Sequence, residues 1–155
     1  MAKIINYITK EIIIEDENLR IKQLAEKAVK EGISLQYAYL EDAFLKGADL
    51  KGAILKGAYL GYAYLQGAYL KGANLRGAIL KDASLEGTYL EGAYLKDANL
   101  KDADLESAYL QGADLKGADL EDADLKYAKV NQDQLIDLIE AQGLEIINKK
   151  ENDNT

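Results

Sequence analysis

The chain's 155 residues predict an all-β solenoid, wound as short straight faces joined by regular corners, and three observations carry that expectation. Leu stands at every fifth position from Leu35 to Leu125, with Val130 closing a series of 20 units. Ala stands two residues before the centre in 18 of these units, Ile33 and Thr88 being the exceptions. Two residues after the centre the chain is mostly Gly (Gly47, Gly52, Gly57, Gly67) or Asp (Asp82, Asp97, Asp102, Asp122), types that tolerate the positive φ of a tight turn.

A period of five fits neither regular element. On an α-helix it scatters Leu around the axis, and on a strand it reverses the face at each repeat. The chain must therefore turn once per unit, with Leu and Ala facing inward. Tyr37, Tyr62 and Tyr127 break the Gly/Asp rule at the corner, and a different turn type is expected there. Coils of three or four sides would both close. Recurrence at 20 residues favours four: Tyr69, Tyr89 and Tyr109 share that spacing, as do Asp82, Asp102 and Asp122, and Lys56, Arg76, Lys96 and Lys116. Four units per coil give about five coils and, at a strand spacing of about 4.8 Å, a rod roughly 24 Å tall.

The units AYLKG, ANLRG, ADLKG and ADLED resemble the pentapeptide-repeat family, whose pattern is written A(D/N)LXX. The resemblance covers about two-thirds of the chain. It implies a right-handed quadrilateral β-helix and supplies the handedness that spacing alone does not. It says little about activity, because a fold of this kind does not specify a function.

A solenoid has two open ends that need covering, and both flanks depart from the repeat. Residues 1–32 are read as an N-terminal cap: a hairpin of Ile4–Ile8 and Glu11–Glu15 joined near Thr9 and Lys10, then a helix with Ile21, Leu24, Ala25, Ala28 and Val29 on one face. Asn18 or Asp16 is the expected N-cap, and Gly32 the stop. Residues 33–130 form the solenoid. Residues 131–147 are read as a C-terminal helical cap, started by Asn131 or Asp133, sealed by Leu135, Leu138 and Ile139, and stopped at Gly143. Leu144, Ile146 and Ile147 are read as local packing, with a homodimer contact through the C-terminal end as the alternative. Residues 148–155 read as a disordered polar tail.

Composition narrows function. There is no Cys and no His, which removes thiol nucleophiles, imidazole bases and Cys/His zinc sites. The net charge of −8 argues against direct nucleic-acid binding, which needs a basic face. No apolar run approaches the roughly 18 residues of a membrane span, and no signal-peptide pattern opens the chain. These features predict a cytoplasmic, non-enzymatic protein with no membrane association, cofactor or metal. The corner aspartates Asp82, Asp102 and Asp122 are close enough in this scheme to share a cation, but Asp simply suits such corners.

Charge and aromatics are unevenly spread. Residues 34–80 carry a net +2, residues 81–130 a net −6. Tyr59, Tyr64 and Tyr69 lie early, with Tyr89 and Tyr109 continuing one column, while Asp104, Asp119 and Asp124 hold the position before Leu late. These eight residues are the candidate protein-binding set, since an aromatic and an acidic zone on one rigid rod suit a protein partner. The tyrosine column also reads as a stabilising ladder. The expected function is a binding module for an unidentified protein. The alternative, implied by resemblance to quinolone-resistance pentapeptide proteins, is a DNA mimic that occupies bacterial DNA gyrase.

Overall fold

A computed structural model describes residues 1–142. From Tyr39 onward parallel backbone bridges join residues 20 apart, as in Tyr39 with Tyr59, Asn74 with Tyr94 and Tyr109 with Lys129. Four five-residue units thus make one coil. The sides are numbered here by their first centres: side one from Leu35, side two from Leu40, side three from Leu45 and side four from Leu50.

The unit around Leu75 shows how the backbone is satisfied. Asn74 N–H donates back to Ala53 O at 2.9 Å, while Leu75 and Gly77 donate forward to Tyr94 O and Lys96 O at 2.8 and 3.0 Å. Ala73 N–H closes the preceding corner on Leu70 O at 2.9 Å. Four of the unit's amides are spent on ladder and corner. The fifth, Arg76 N–H, points outward and is taken by the Asn74 side chain at 3.3 Å. Leu40 to Leu120 and nearly all their Ala partners are buried at the centre, each Leu contributing about 1.5–3 kcal/mol. At the Ala position of residue 88, Thr88 is fully buried and offsets its hydroxyl's desolvation by donating to Leu65 O at 2.9 Å.

Every corner has positive φ at its third residue, whatever the side chain: Tyr37 at 56°, Tyr62 at 57° and Tyr127 at 59° match Asp82 at 57° and Gly77 at 61°. The expectation of a different turn at the three tyrosines is therefore corrected. The backbone requirement is uniform, and the ladder on both sides of each corner is strong enough to hold a bulky residue in the left-handed region.

Before the first coil lies a hairpin of β1 (Ala2–Ile5) and β2 (Ile12–Asp16), followed by α1 (Ile21–Lys30). The strands are shifted from the expected limits because Asn6 ends the first one. Its side-chain oxygen accepts Ile8 and Thr9 N–H at 2.9 and 3.1 Å, and Lys10 N–H returns to Asn6 O at 2.8 Å. Neither Asn18 nor Asp16 caps α1. Arg20 holds the N-cap position and its N–H donates to the Gln23 side chain at 3.0 Å, while Asp16 accepts Asn18 N–H and pairs with Lys27 at 2.9 Å. The helix does stop at Gly32, whose φ of 69° permits N–H bonds from Gly32 to Val29 O and from Ile33 to Ala28 O.

This flank meets the unpaired edge of the first coil. Asn6 bridges Ala38 antiparallel, Tyr39 N–H reaches Ile5 O at 2.8 Å, and Asp49 N–H reaches the Glu26 carboxylate at 3.0 Å. At the other end a short 3-10 helix, Gln132–Gln134, leads into α2, Leu135–Ala141. Here the expected seal is corrected. Leu138 is buried and Ile139 half-buried, but Leu135 is 46% exposed; the other buried residue of this flank is Gln134, at 6%. The readings for Gly143, for Leu144, Ile146 and Ile147, and for residues 148–155 lie outside the described residues.

Candidate functional site

The structure distributes the eight candidate residues over three sides instead of one patch. Side two carries the column Tyr39, Tyr59, Ile79, Asn99 and Asp119; side three carries Phe44, Tyr64, Ser84, Asp104 and Asp124. Side four carries Asp49, Tyr69, Tyr89, Tyr109 and Lys129. Tyr59 and Asp119 thus share a column three coils apart, and Tyr64 and Asp104 share one two coils apart.

Side four holds the longest aromatic run. Tyr69 stacks on Tyr89 at 4.9 Å between centroids and 7° between planes, and Tyr89 on Tyr109 at 4.8 Å and 13°. The coil spacing is itself close to the stacking distance, so bridged tyrosines stack without distortion. Both ends carry cations: Lys51 Nζ lies 4.7 Å from the Tyr69 centroid and Lys129 Nζ 4.3 Å from that of Tyr109. Each aromatic pair is worth about 0.5–1.5 kcal/mol beyond area, and each exposed cation contact about 0.5–1. The lysines were missed in the sequence; Lys129 was legible, standing 20 residues after Tyr109. Shorter stacks occur on the other sides, Phe44 on Tyr64 at 4.8 Å and 2°, and Tyr39 on Tyr59 at 5.7 Å and 16°.

The acidic candidates prove to have local employment. Asp104, Asp119 and Asp124 accept the N–H of Glu106, Glu121 and Lys126, two residues on, at 3.0, 3.1 and 2.9 Å. Asp114, Asn74 and Asn99 do the same for Lys116, Arg76 and Lys101. This is the one amide per unit that the ladder leaves over, and only a short side-chain acceptor before the Leu can take it. Tyr at that position leaves the amide to solvent and offers a ring instead. The acidic columns are consequently backbone chemistry first.

Charge on the remaining outer positions is mixed. Side one carries Lys56, Arg76, Lys96 and Lys116, with the Arg76 guanidinium 4.4 Å from the Tyr94 ring. At the side-two corner the Asp82 carboxylate beside Tyr62 raises the phenol's pKa above its ordinary value, and Lys101 is raised by its 2.6 Å bond to Glu121. The Glu41 carboxylate raises Tyr39 chiefly by accepting its hydroxyl, and Tyr59 chiefly by its charge. Among the described residues no Asp/Glu group is arranged to hold a metal ion, the corner aspartates included. None of their helices is long and apolar enough to cross a membrane.

The family model described as pentapeptide repeats matches in eight copies, over residues 31–61, 58–97 and 98–132. Among solved structures the chain is similar to Rfr23, a pentapeptide repeat protein from the cyanobacterium Cyanothece 51142. That match has 40% identity over 50% of this chain and 53% of the other, with a TM-score of 0.50. It is also similar to HetL from Nostoc sp. strain PCC 7120, described as involved in heterocyst differentiation regulation. Here identity is 39% over 64% of this chain and 54% of the other, with a TM-score of 0.33. The matches thus span about half the length of these two proteins. QnrB1, a plasmid-mediated fluoroquinolone resistance protein, matches at 21% identity over 66% of this chain and 72% of its own, with a TM-score of 0.26. Comparison with curated proteins finds no match. With the repeat model covering residues 31–132 without a gap and the backbone bridged at every fourth unit, the chain belongs to the pentapeptide-repeat family.

Proposed function

We propose that the protein is a non-enzymatic binding module that presents side four to a protein partner. In this reading it is a right-handed quadrilateral β-helix of about five coils, capped by β1, β2 and α1 at one end and by α2 at the other, and it works in the cytoplasm. The observation that carries the proposal is the column Lys51, Tyr69, Tyr89, Tyr109 and Lys129. Rings held in register by the backbone have already lost the rotamer freedom that docking would otherwise cost, and tyrosine is favoured at the centre of interfaces. Outward-pointing side chains on a filled core do not converge as catalysis requires. The test compares wild type with a Tyr89→Ser, Tyr109→Ser double variant as immobilised bait, after checking that both keep a cooperative unfolding transition. A protein held by the wild type and lost by the variant supports side four; equal retention moves the interface elsewhere.

A second reading, DNA mimicry on gyrase, is favoured by one feature: carboxylates of Asp102, Asp104, Asp119, Glu121 and Asp124 gather on sides two and three of the later coils. Lys101 and Lys126, on the same two sides, interrupt that field, and side one beside it carries the lysine and arginine column. Titration into a gyrase supercoiling reaction beside a charge-matched acidic protein decides it, since mimicry requires inhibition stronger than the control and weakened by salt.

A further inference from the structure

The stacked columns must begin somewhere, and their first rings are Tyr39 on side two and Phe44 on side three. Each rests on the coil below, on Tyr59 and Tyr64 respectively. Among the described residues no aromatic ring lies against the other face of either, because no coil precedes the first. Phe44 is 74% exposed, unusual for a phenylalanine. These two side chains line a cleft of about 690 Å³ between the first coil, β1 and the start of α1, within the size range of small-molecule sites. Buried Leu40 and Ala43 form part of its floor.

Four cations surround the same space: Lys3 from β1, Arg20 and Lys22 from the start of α1, and Lys46 from the first coil. Among the described residues none of the four forms an ion pair. Lys22 Nζ instead donates to the backbone carbonyl of Lys46 at 2.8 Å, which ties α1 to the coil and holds the Lys22 ammonium at the rim. Two carboxylates share the cleft, Glu41 and Asp42, and Glu41 is engaged by the Tyr39 hydroxyl. Four positive groups against two negative ones is the opposite balance to a chain of net charge −8.

We infer that this cleft binds a small planar aromatic acid, whose ring extends the Phe44 stack where a preceding coil's side chain would lie and whose carboxylate or phosphate meets the cations of the rim. The site is separate from side four and does not depend on that surface having a partner.

The experiment is calorimetric titration of the full chain with 2-naphthoate, 2-naphthyl phosphate and the neutral 2-naphthalenemethanol. Saturable binding of one equivalent is expected, with at least one of the two anions about tenfold tighter than the alcohol; whichever anion binds tighter identifies the acid group. Phe44→Ala is expected to weaken all binding by about tenfold, the equivalent of about 1.4 kcal/mol. Lys46→Glu is expected to weaken the anions and leave the alcohol unchanged. Phe44 and Lys46 are exposed, so neither change should threaten the fold, and Tyr94→Ala on side one serves as an aromatic control. Absence of saturable binding, equal affinity for acid and alcohol, or the same loss from Tyr94→Ala as from Phe44→Ala would overturn the inference.

Discussion

Gln134 stands where the next coil would begin and makes that coil's hydrogen bonds to Gly112 and Ala113 with its side chain. Its Oε1 accepts Gly112 N–H at 3.1 Å and Asn131 N–H at 2.8 Å, while its Nε2 donates to Leu110 O and Ala113 O at 2.8 and 2.9 Å. One amide thereby satisfies backbone groups that the ladder's end would strand. Gln134→Leu keeps the bulk and removes all four bonds. It is expected to lower stability by about 1–3 kcal/mol in urea unfolding, whereas Gln132→Leu two residues earlier should change stability by less than about 0.5. Equal effects would mean that solvent replaces the amide at no cost.

The Asx bonds give the aspartates a testable structural role. Asp104→Ala strands the Glu106 amide, and a loss of about 0.5–1.5 kcal/mol is expected. Asp104→Asn keeps an acceptor of the same reach, as Asn74 and Asn99 do in their own units, and should come within about 0.5 kcal/mol of wild type. Denaturant titration of the three proteins checks this. If Asn were as damaging as Ala, the charge and not the hydrogen bond would be what matters at this position.

The corners separate two costs that glycine avoids. Gly77 has φ of 61° and open space around a hypothetical Cβ, so Gly77→Ala should report the backbone cost alone, about 1–2 kcal/mol. Gly57 has φ of 63° but lies beneath the Tyr37 ring, which an added Cβ would strike. Gly57→Ala is expected to be the more destabilising of the two in thermal melts. A Gly57→Ala, Tyr37→Ser double variant should bring the loss at residue 57 back toward that at residue 77, and failure to do so would remove the ring as the cause.

The regular part of the fold was legible in the sequence because each unit states its own inside, outside and corner: Leu75, Ala73 and Gly77 do in the structure what their spacing implies. Tyr62 was misread because identity at a corner was taken as evidence about its backbone, when the ladder imposes the same φ on any residue there. The ends were harder, since Gln134 and Glu26 act through side-chain bonds to backbone on another element, and no periodicity announces such a bond. Asn131 followed three residues later by Gln134 was the available signal, a spacing suited to reciprocal bonds at a helix start. The candidate site was legible as columns but not as a patch. Tyr64 and Asp104 share a side, while Tyr59 and Tyr69 do not, and that follows only once each centre is assigned its place in a four-unit turn.

The pairing of Asp16 with Lys27 predicts how the N-terminal flank responds to pH. Asp16 is held below its ordinary value of 3.8, first by the Asn18 amide and then by Lys27, and Lys27 is raised above 10.5 by Asp16. A depressed carboxylate contributes stability that is present above about pH 3.8 and lost as pH falls through its folded value. A raised ammonium contributes stability that is present below about pH 10.5 and lost as pH rises through its folded value. Asp16→Asn removes the charge behind both contributions, so wild type should melt above the variant across the neutral range, with the two curves converging as pH falls below about 3.8 and drawing closer, without meeting, above about pH 10.5, where the Asn18 amide still favours the Asp16 carboxylate. Both groups are partly exposed, and salt should therefore shrink the neutral-pH difference. A difference that persisted unchanged to pH 2 would assign the effect of Asp16→Asn to something other than its charge.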